Sequence, residues 1–382
     1  MNVAVLCFHA LGGSAVVAGE LGRELATRGH RVHVVGAALP GRLDPPPPGV
    51  ELHAVPLSAP PPVNGQGFAL ALAARLIDVV RREHIDVIHA HYASPHAAAA
   101  SLARSALGGA APPLVLTLHG SDVPPTGAPE SQVMLIRDLV LQADAVTAPS
   151  SALASQARER LRLPAALTVE VIPNFVDTAR FQPGDGSALP ALFSPRDWTS
   201  VRVLGHASNF RPVKRLADVI QVFARVREKC AAVLVLAGDG PERPRVEEEV
   251  RRLGLSQDVA FPGAVSDLAP LLRACDLFLL PSAHESFGLA ALEAMSCGVP
   301  VLGSRVGGLP EVVGEDGGVL LPAGDVDAMA TAALRLLSDD AARAALSRSA
   351  RARAVRLFPI APVLASWESL YRRLVSSTPE PS

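Results

Sequence analysis

Two glutamates, Glu285 and Glu293, stand eight positions apart around a strand-to-helix junction. The apolar run Leu277-Phe278-Leu279-Leu280 reads as a buried strand. Pro281-Ser282 ends it, and Gly288 to Cys297 has the composition of a helix that Gly298-Val299-Pro300 stops. Glu285 then lies in the loop and Glu293 inside the helix. The backbone N–H groups of Phe287, Gly288 and Leu289 form the helix start, where unpaired donors and the helix dipole suit a phosphate. Carboxylates accept hydrogen bonds from hydroxyls. Acids beside an anion site therefore suit a ligand with both phosphates and hydroxyls, such as a nucleotide sugar. Each glutamate also has a plainer reading: Glu285 as support for the helix start, Glu293 as a solvated side chain. The apolar neighbours Leu289, Ala290, Leu292 and Ala294 weigh against the second, because buried glutamates are rare without a partner.

A second chemical cluster, His206 to Arg215, follows the first strand of the second half of the chain. Arg211 and Lys214 are local positive charges of the kind a diphosphate needs. Basic residues after a strand are often only solvated, so the cluster gains weight from lying at the same strand ends as the carboxylates.

The spacing of Glu285 and Glu293 resembles the E-x7-E motif of retaining glycosyltransferases of the GT-B type, family 4. The segments Glu293 to Val301 and Gly307-Gly308-Leu309-Pro310-Glu311 resemble that family too. Within it, Val16 to Gly22, His91 to Ala97, Thr117 to Asp122, Ile172 to Asp177 and Ser208 to Arg215 are similar to one branch, the N-acetylglucosaminyl L-malate synthases of bacillithiol biosynthesis. The resemblance implies transfer of GlcNAc from UDP-GlcNAc to the 2-hydroxyl of L-malate with retention, without a metal or other cofactor. It implies catalytic roles for His119, Arg211, Lys214 and Glu285. Donor contacts would fall to Gly13, Asn209, Lys214, Gly238, Phe287, Gly288, Leu289 and Glu293. Acceptor contacts would fall to Ser14, Tyr92, Thr117 and Arg211. One departure stands out: Asn209 occupies a position where the family usually has arginine. Arg211 is therefore left open between diphosphate and malate. The nearest alternative is another family-4 transferase with a different small acceptor, such as inositol phosphate. A nucleotide-sugar binder without turnover is the non-enzyme alternative.

The elements that must hold these residues alternate. Val3 to Phe8, Arg31 to Val35, Val50 to Val55, Ile85 to Tyr92, Leu114 to Leu118, Ala143 to Ser150 and Val169 to Asn174 read as strands with helices between them. A second series has strands at Val201 to His206, Ala232 to Ala237, Val259 to Phe261, Leu277 to Leu280 and Val299 to Gly303. Alternation of this kind implies an α/β protein with two doubly wound, Rossmann-like parallel sheets, whose ligands bind at the carboxyl ends of the strands. Those ends are expected to face one cleft. The expected domains are residues 1–180, for the acceptor, and 196–357, for the nucleotide sugar, with a C-terminal helix at 360–376 packing back on the first. Pro45 to Pro48 and Pro60 to Pro62 mark loops. Gly12-Gly13 is either a tight turn that needs glycine or a place where substrate approaches the backbone. Asp325 and Asp327 read as helix N-cap and first-turn acids rather than as a metal-binding D-x-D. His89 and His91 share a strand face, but no cysteine or glutamate stands at ligand spacing, so no metal is expected. The tail from Ser376 is expected to fray.

Composition sets the outer limits. The chain has 382 residues, 49% of them hydrophobic, enough for about two domains. A net charge of −2 gives no general pull toward nucleic acid or anionic membrane, and 4% aromatics argues against base-stacking platforms. Cys7, Cys230, Cys275 and Cys297 are scattered, which indicates neither a zinc site nor a disulfide framework and fits a reducing cytoplasm. No run reaches the ~18 apolar residues that would span a bilayer. A homo-oligomer is left open.

Overall fold

The computed structural model describes residues 1–8, 12–55, 67–185, 190–193 and 197–377. His9, the prolines at 60–62 and the tail after Ser377 lie outside the described residues. The chain divides into two compact units: Met1–Pro173 with the C-terminal segment from Ile360, and Asn174–Pro359.

The first unit holds seven parallel strands: β1 (Asn2–Leu6), β2 (Arg31–Gly36), β3 (Val50–Ala54), β4 (Val87–His91), β5 (Leu114–Thr117), β6 (Ala145–Ala148) and β7 (Val169–Val171). Their order is β3-β2-β1-β4-β5-β6-β7. The helices α1 (Gly13–Thr27), α2 (Phe68–Glu83), α3 (Ala98–Leu107), α4 (Glu130–Leu141) and α5 (Ser151–Arg160) connect them. Strands β4, β5 and β6 are buried along their whole length, as parallel strands covered on both faces must be. The strand order reverses between β1 and β4, so the loops after these two strands flank the switch point where open α/β sheets bind ligands.

The second unit has six parallel strands: β8 (Arg202–Ser208), β9 (Ala232–Gly238), β10 (Val259–Gly263), β11 (Leu277–Leu280), β12 (Val301–Ser304) and β13 (Gly318–Leu321). Their order is β10-β9-β8-β11-β12-β13, which puts its switch point between β8 and β11. The helices are α6 (Leu216–Arg227), α7 (Arg243–Arg252), α8 (Ala269–Arg273), α9 (Leu289–Ser296), α10 (Leu309–Val313), α11 (Val326–Ser338) and α12 (Asp340–Leu357). Strand β11 shows why this sheet is a double-sided core. Leu277 and Leu279 join the cluster around Phe223 and Leu302, while Phe278 and Leu280 join the opposite cluster around Leu292 and Met295. Asp325 caps α11, its side chain accepting from Ala328 N at 3.0 Å, with Asp327 in the first turn, as the sequence suggests. Strand β13 and helix α12 have no counterpart in the sequence reading. Among the described residues no helix is long and apolar enough to cross a membrane.

The last helix, α13 (Ile360–Ser377), belongs to the first unit. It starts at residue 360, as the sequence suggests, and is helical through Ser376 and Ser377, where the tail was expected to begin fraying. Glu368 ties it to the end of α1 through Arg28 at 3.1 Å and His30 at 3.1 Å. Tyr371, fully buried, places its hydroxyl 2.8 Å from Nδ1 of His89 in β4. His89 Nε2 is 2.7 Å from the Thr117 hydroxyl, which meets the Thr147 hydroxyl at 2.7 Å. A polar chain thus crosses the apolar sheet from α13 to β6, and each member has a partner, the condition for burying polar groups at little cost. Tyr371→Phe deletes one end and leaves His89 Nδ1 unpaired in a dry site, a loss of about 1–3 kcal/mol. We expect a lower unfolding midpoint and faster amide exchange in β4; unchanged exchange there would show that the chain is not what holds the strand.

Candidate functional site

In the second unit, the loops after β8 and β11 meet at the switch point. After β8 the chain runs through Asn209 and Arg211 into a short 3-10 turn, Pro212–Lys214. After β11 it crosses Pro281 to Gly288 and enters α9. Lys214 Nζ lies 2.7 Å from Glu285 Oε2, and Ser282 Oγ donates to the same oxygen at 3.3 Å. Both charged side chains are largely buried, so their attraction is weakly screened. The ammonium keeps donors to spare beyond Glu285.

Helix α9 begins at Leu289, and Gly288, at φ +99°, caps it. The first free N–H groups therefore belong to Leu289, Ala290 and Ala291, because Leu292 N already bonds the Gly288 carbonyl at 3.0 Å. Phe287 stands just before this start, with its ring buried and meeting Phe358 edge-on at 5.5 Å. Glu293 is 2% exposed inside α9, which removes the solvated reading.

Close backbone approach sets the glycines. A Cβ on Gly307, at φ +52°, would stand 1.9 Å from the Glu285 carbonyl oxygen, and Gly308 N donates to that oxygen at 2.9 Å. A Cβ on Gly238, at φ +130°, would stand 1.8 Å from the Ser208 oxygen. Gly238 thus lets the β8 and β9 ends touch, beside Asn209, whose buried Oδ1 has no partner among the described residues. Arg211 is exposed and unpaired among the described residues, free to meet a ligand.

The first unit supplies a different kind of site. His119 is half-buried, with Nε2 3.0 Å from His91 Nδ1. Tyr92 stacks on it with centroids 5.3 Å apart and planes at 15°, and Phe8 meets Tyr92 edge-on at 5.1 Å. The Tyr92 hydroxyl bonds that of Ser121. Tyr92 has φ +90°, a left-handed value that costs a tyrosine about 1–3 kcal/mol and tends to occur at functional sites. Asp122 organises the turn. Its Oδ1 accepts from His119 N at 3.0 Å and Gly120 N at 2.8 Å, and its Oδ2 from Ala93 N at 3.3 Å. Burial pushes its carboxyl up, against the pull of these N–H donors. Sequence reasoning quoted Asp122 within a motif without giving it a role; its spacing two or three residues from the amides it accepts was the available signal.

Thr117 is a correction. Its hydroxyl bonds His89 and Thr147 and is buried, so it supports the site instead of facing an acceptor. Gly12 and Gly13 have no left-handed φ, which removes the tight-turn reading. A Cβ on either meets nothing within 4 Å among the described residues, and Ser14 beside them is partly exposed.

His33, Glu51 and His53 could hold a metal, their ligand atoms lying within 4.8 Å of one another on β2 and β3. His33 Nδ1 and His53 Nε2 already share a hydrogen bond of 2.9 Å, which satisfies both without an ion.

The profile for "Glycosyltransferase Family 4" matches residues 11–180, and that for "Glycosyl transferases group 1" matches residues 198–353. The chain is 37% identical to N-acetyl-alpha-D-glucosaminyl L-malate synthase of Bacillus anthracis, over 97% of this chain and 96% of the relative. The chain belongs to glycosyltransferase family 4. It is therefore an enzyme of the GT-B fold. It is also 32% identical to D-inositol 3-phosphate glycosyltransferase of Saccharomonospora viridis, over 90% of this chain and 85% of the relative. In fold it is similar to Anabaena Alr3699/HepE in complex with UDP and glucose, with a TM-score of 0.81, 24% identity, and 97% and 99% of the two chains covered.

Two predictions follow from this glycosyltransferase's geometry. Gly307→Ala must push the Glu285 loop aside, and a shift of about 1 Å near the chemistry costs on the order of 10²-fold in rate. We expect that loss in kcat/KM with the fold intact by circular dichroism; a fully active variant would mean the loop gives without consequence. The second concerns pH. Burial pulls His89 to about 3, and His96 and His206 each to about 4. In the unfolded chain they titrate near 6.5. Below that pH the unfolded chain binds protons that the folded protein refuses, so stability present above pH ~6.5 is lost as pH falls, by on the order of 1–2 kcal/mol per histidine at pH ~5. The thermal midpoint should drop across that window; a flat midpoint would contradict the neutral, buried state.

Proposed function

We propose that this glycosyltransferase moves GlcNAc from UDP-GlcNAc to the 2-hydroxyl of L-malate with retention. The observation that carries the reading is the likeness along nearly the whole chain to the Bacillus anthracis synthase. The inositol-phosphate relatives are less similar and cover less of the chain, which favours malate.

In this reading residues 196–357 bind the donor and residues 1–180 the acceptor. Lys214 and the free N–H groups at Leu289 to Ala291 hold the diphosphate. When the sugar leaves, its phosphate oxygen gains negative charge, and one well-placed donor of this kind is worth ~2.7–4 kcal/mol. Glu293 and Glu285 accept from hydroxyls of the nucleotide sugar. Malate carries two carboxylates, and Arg211, Ser14 and Tyr92 offer a cation and hydroxyls to them, Arg211 serving either malate or the diphosphate. His119 donates to an oxygen of the donor sugar. The malate hydroxyl attacks on the face from which the diphosphate departs, and the leaving phosphate oxygen takes its proton. Lys214 supplies fixed positive charge where a metal would otherwise serve.

The deciding assay is UDP release from UDP-GlcNAc with L-malate, D-malate, inositol phosphate or no acceptor, with and without chelator. We expect chelator-resistant release that requires L-malate, and a fall of about 10²–10³-fold in kcat for Lys214→Ala. Release with inositol phosphate alone would keep the family and move the acceptor assignments. Whichever substrate's KM rises in Arg211→Ala assigns that residue.

A further inference from the structure

His91 lies on β4 two residues beyond His89, on the same strand face, with ring centroids 4.2 Å apart. His89 is satisfied at both nitrogens; His91 is not. Its Nδ1 is 3.0 Å from Nε2 of His119, while its own Nε2 is buried with no partner among the described residues. A neutral imidazole has one N–H and one bare nitrogen. Burial, with His89, His119 and His96 alongside, holds His91 well below the ordinary histidine range, so it is neutral at pH 7. Burial also holds His119 low.

The hydrogen count then has one economical solution. An orphaned buried N–H is rarer than an under-satisfied acceptor. The bare nitrogen of His91 is therefore Nε2, and its Nδ1–H donates to His119. His119 Nε2 is the acceptor, so its proton sits on Nδ1. No described residue bonds that Nδ1. The Tyr92 stack fixes the His119 ring, and Asp122 fixes its backbone.

We propose that His91 is a positioning residue that locks His119 as the Nδ1–H tautomer, so that His119 offers its substrate a hydrogen-bond donor and no base. The proposal deepens the reading of His119 as a contact to the donor sugar and rests on it. The partner atom must then be an acceptor: a hydroxyl or phosphate oxygen presenting a lone pair. The Nε2 lone pair, held by His91, is closed to the malate proton, which leaves the departing phosphate oxygen to take it. No atom of His119 gains or loses a proton in the turnover.

The test is tautomer-resolved nuclear magnetic resonance on the full chain labelled with 15N at histidine, by long-range 1H–15N correlation. We expect His119 and His91 each to carry the proton on Nδ1, unchanged between pH 6 and pH 8. A proton on His119 Nε2 overturns the proposal. His91→Leu should release His119 into a mixture of tautomers and lower kcat about tenfold, with KM for UDP-GlcNAc little changed. His91→Asn places an amide N–H where Nδ1–H stood and should recover most of kcat. Equal losses in the two variants would reduce His91 to a packing role and overturn the proposal. Full activity in His119→Ala would instead remove the reading of His119 as a substrate contact. The tautomer is measured without substrate, so the two failures are distinguishable.

Discussion

The ion pair between Lys214 and Glu285 is the contact on which the second half of the molecule is arranged. A lysine ammonium at the end of β8 and a carboxylate at the end of β11 can meet at 2.7 Å only if both strand ends turn inward at the switch point. The glycines follow from that demand. Gly307 lets the β12 loop lie against the Glu285 carbonyl, Gly238 lets β9 close on β8, and Gly288 turns the chain into α9. Without an anion present, Glu285 keeps the lysine head at the strand end instead of letting it wander into solvent. In the proposed reading a diphosphate would find this cation already aimed, with the reorganisation that would weaken its stabilisation of developing charge already done by folding.

The first unit solves a different problem. Four histidines, His89, His91, His96 and His119, crowd the ends of β4 and β5, and burial forbids them charge. Neutral rings can be packed closely if their nitrogens are paired, and four of the eight are paired with other side chains: to Tyr371, to Thr117, to each other. The last helix takes part directly, since Tyr371 closes the far end of the chain of hydrogen bonds. The left-handed backbone at Tyr92 is maintained by the same surroundings. Its N–H bonds the Thr117 carbonyl at 3.1 Å, its ring lies between Phe8 and His119, and Asp122 holds the following residue.

Much of this was legible in the amino-acid order. Continuous apolar runs such as Leu277 to Leu280 announce buried parallel strands, and the alternation with helices announces two doubly wound sheets. Asp325 reads correctly as a cap because capping is local. The failures have physical causes. Helix α12 buries only alanines, Ala350 and Ala354, among arginines, so its apolar face carries almost no periodic signal. Strand β13 is four residues long and opens on Gly317-Gly318, which reads as a turn; only the sheet shows why glycine is there, since a Cβ on Gly318 would stand 1.9 Å from the Val301 oxygen. The start of α9 slips by one residue because Gly288 adopts a left-handed φ, and a Cβ there would run into Leu309, a residue of the next loop-and-helix unit. Thr117 was misassigned for the same reason: a hydroxyl at a strand end looks available until β4 and β6 are set beside it. Tyr92's backbone and the bond from Ala93 to Asp122 depend on partners about thirty residues away, beyond any local pattern.

The two units differ in the charge they place at their strand ends. A chain with net charge −2 has no field with which to gather anions at large, so cations for an anionic ligand must be placed singly, the part proposed for Lys214 and Arg211. A titrating histidine beside the sugar would be of no such use. A protonated histidine there would compete for the leaving oxygen, and a basic one would compete for the proton that the leaving oxygen takes. Burial removes the first danger by keeping His119 neutral. The hydrogen bond from His91 removes the second by engaging the lone pair. A site built this way can hold a sugar hydroxyl or phosphate oxygen firmly while leaving the proton transfer to the two substrates themselves, which is what a retaining transfer without a protein base requires.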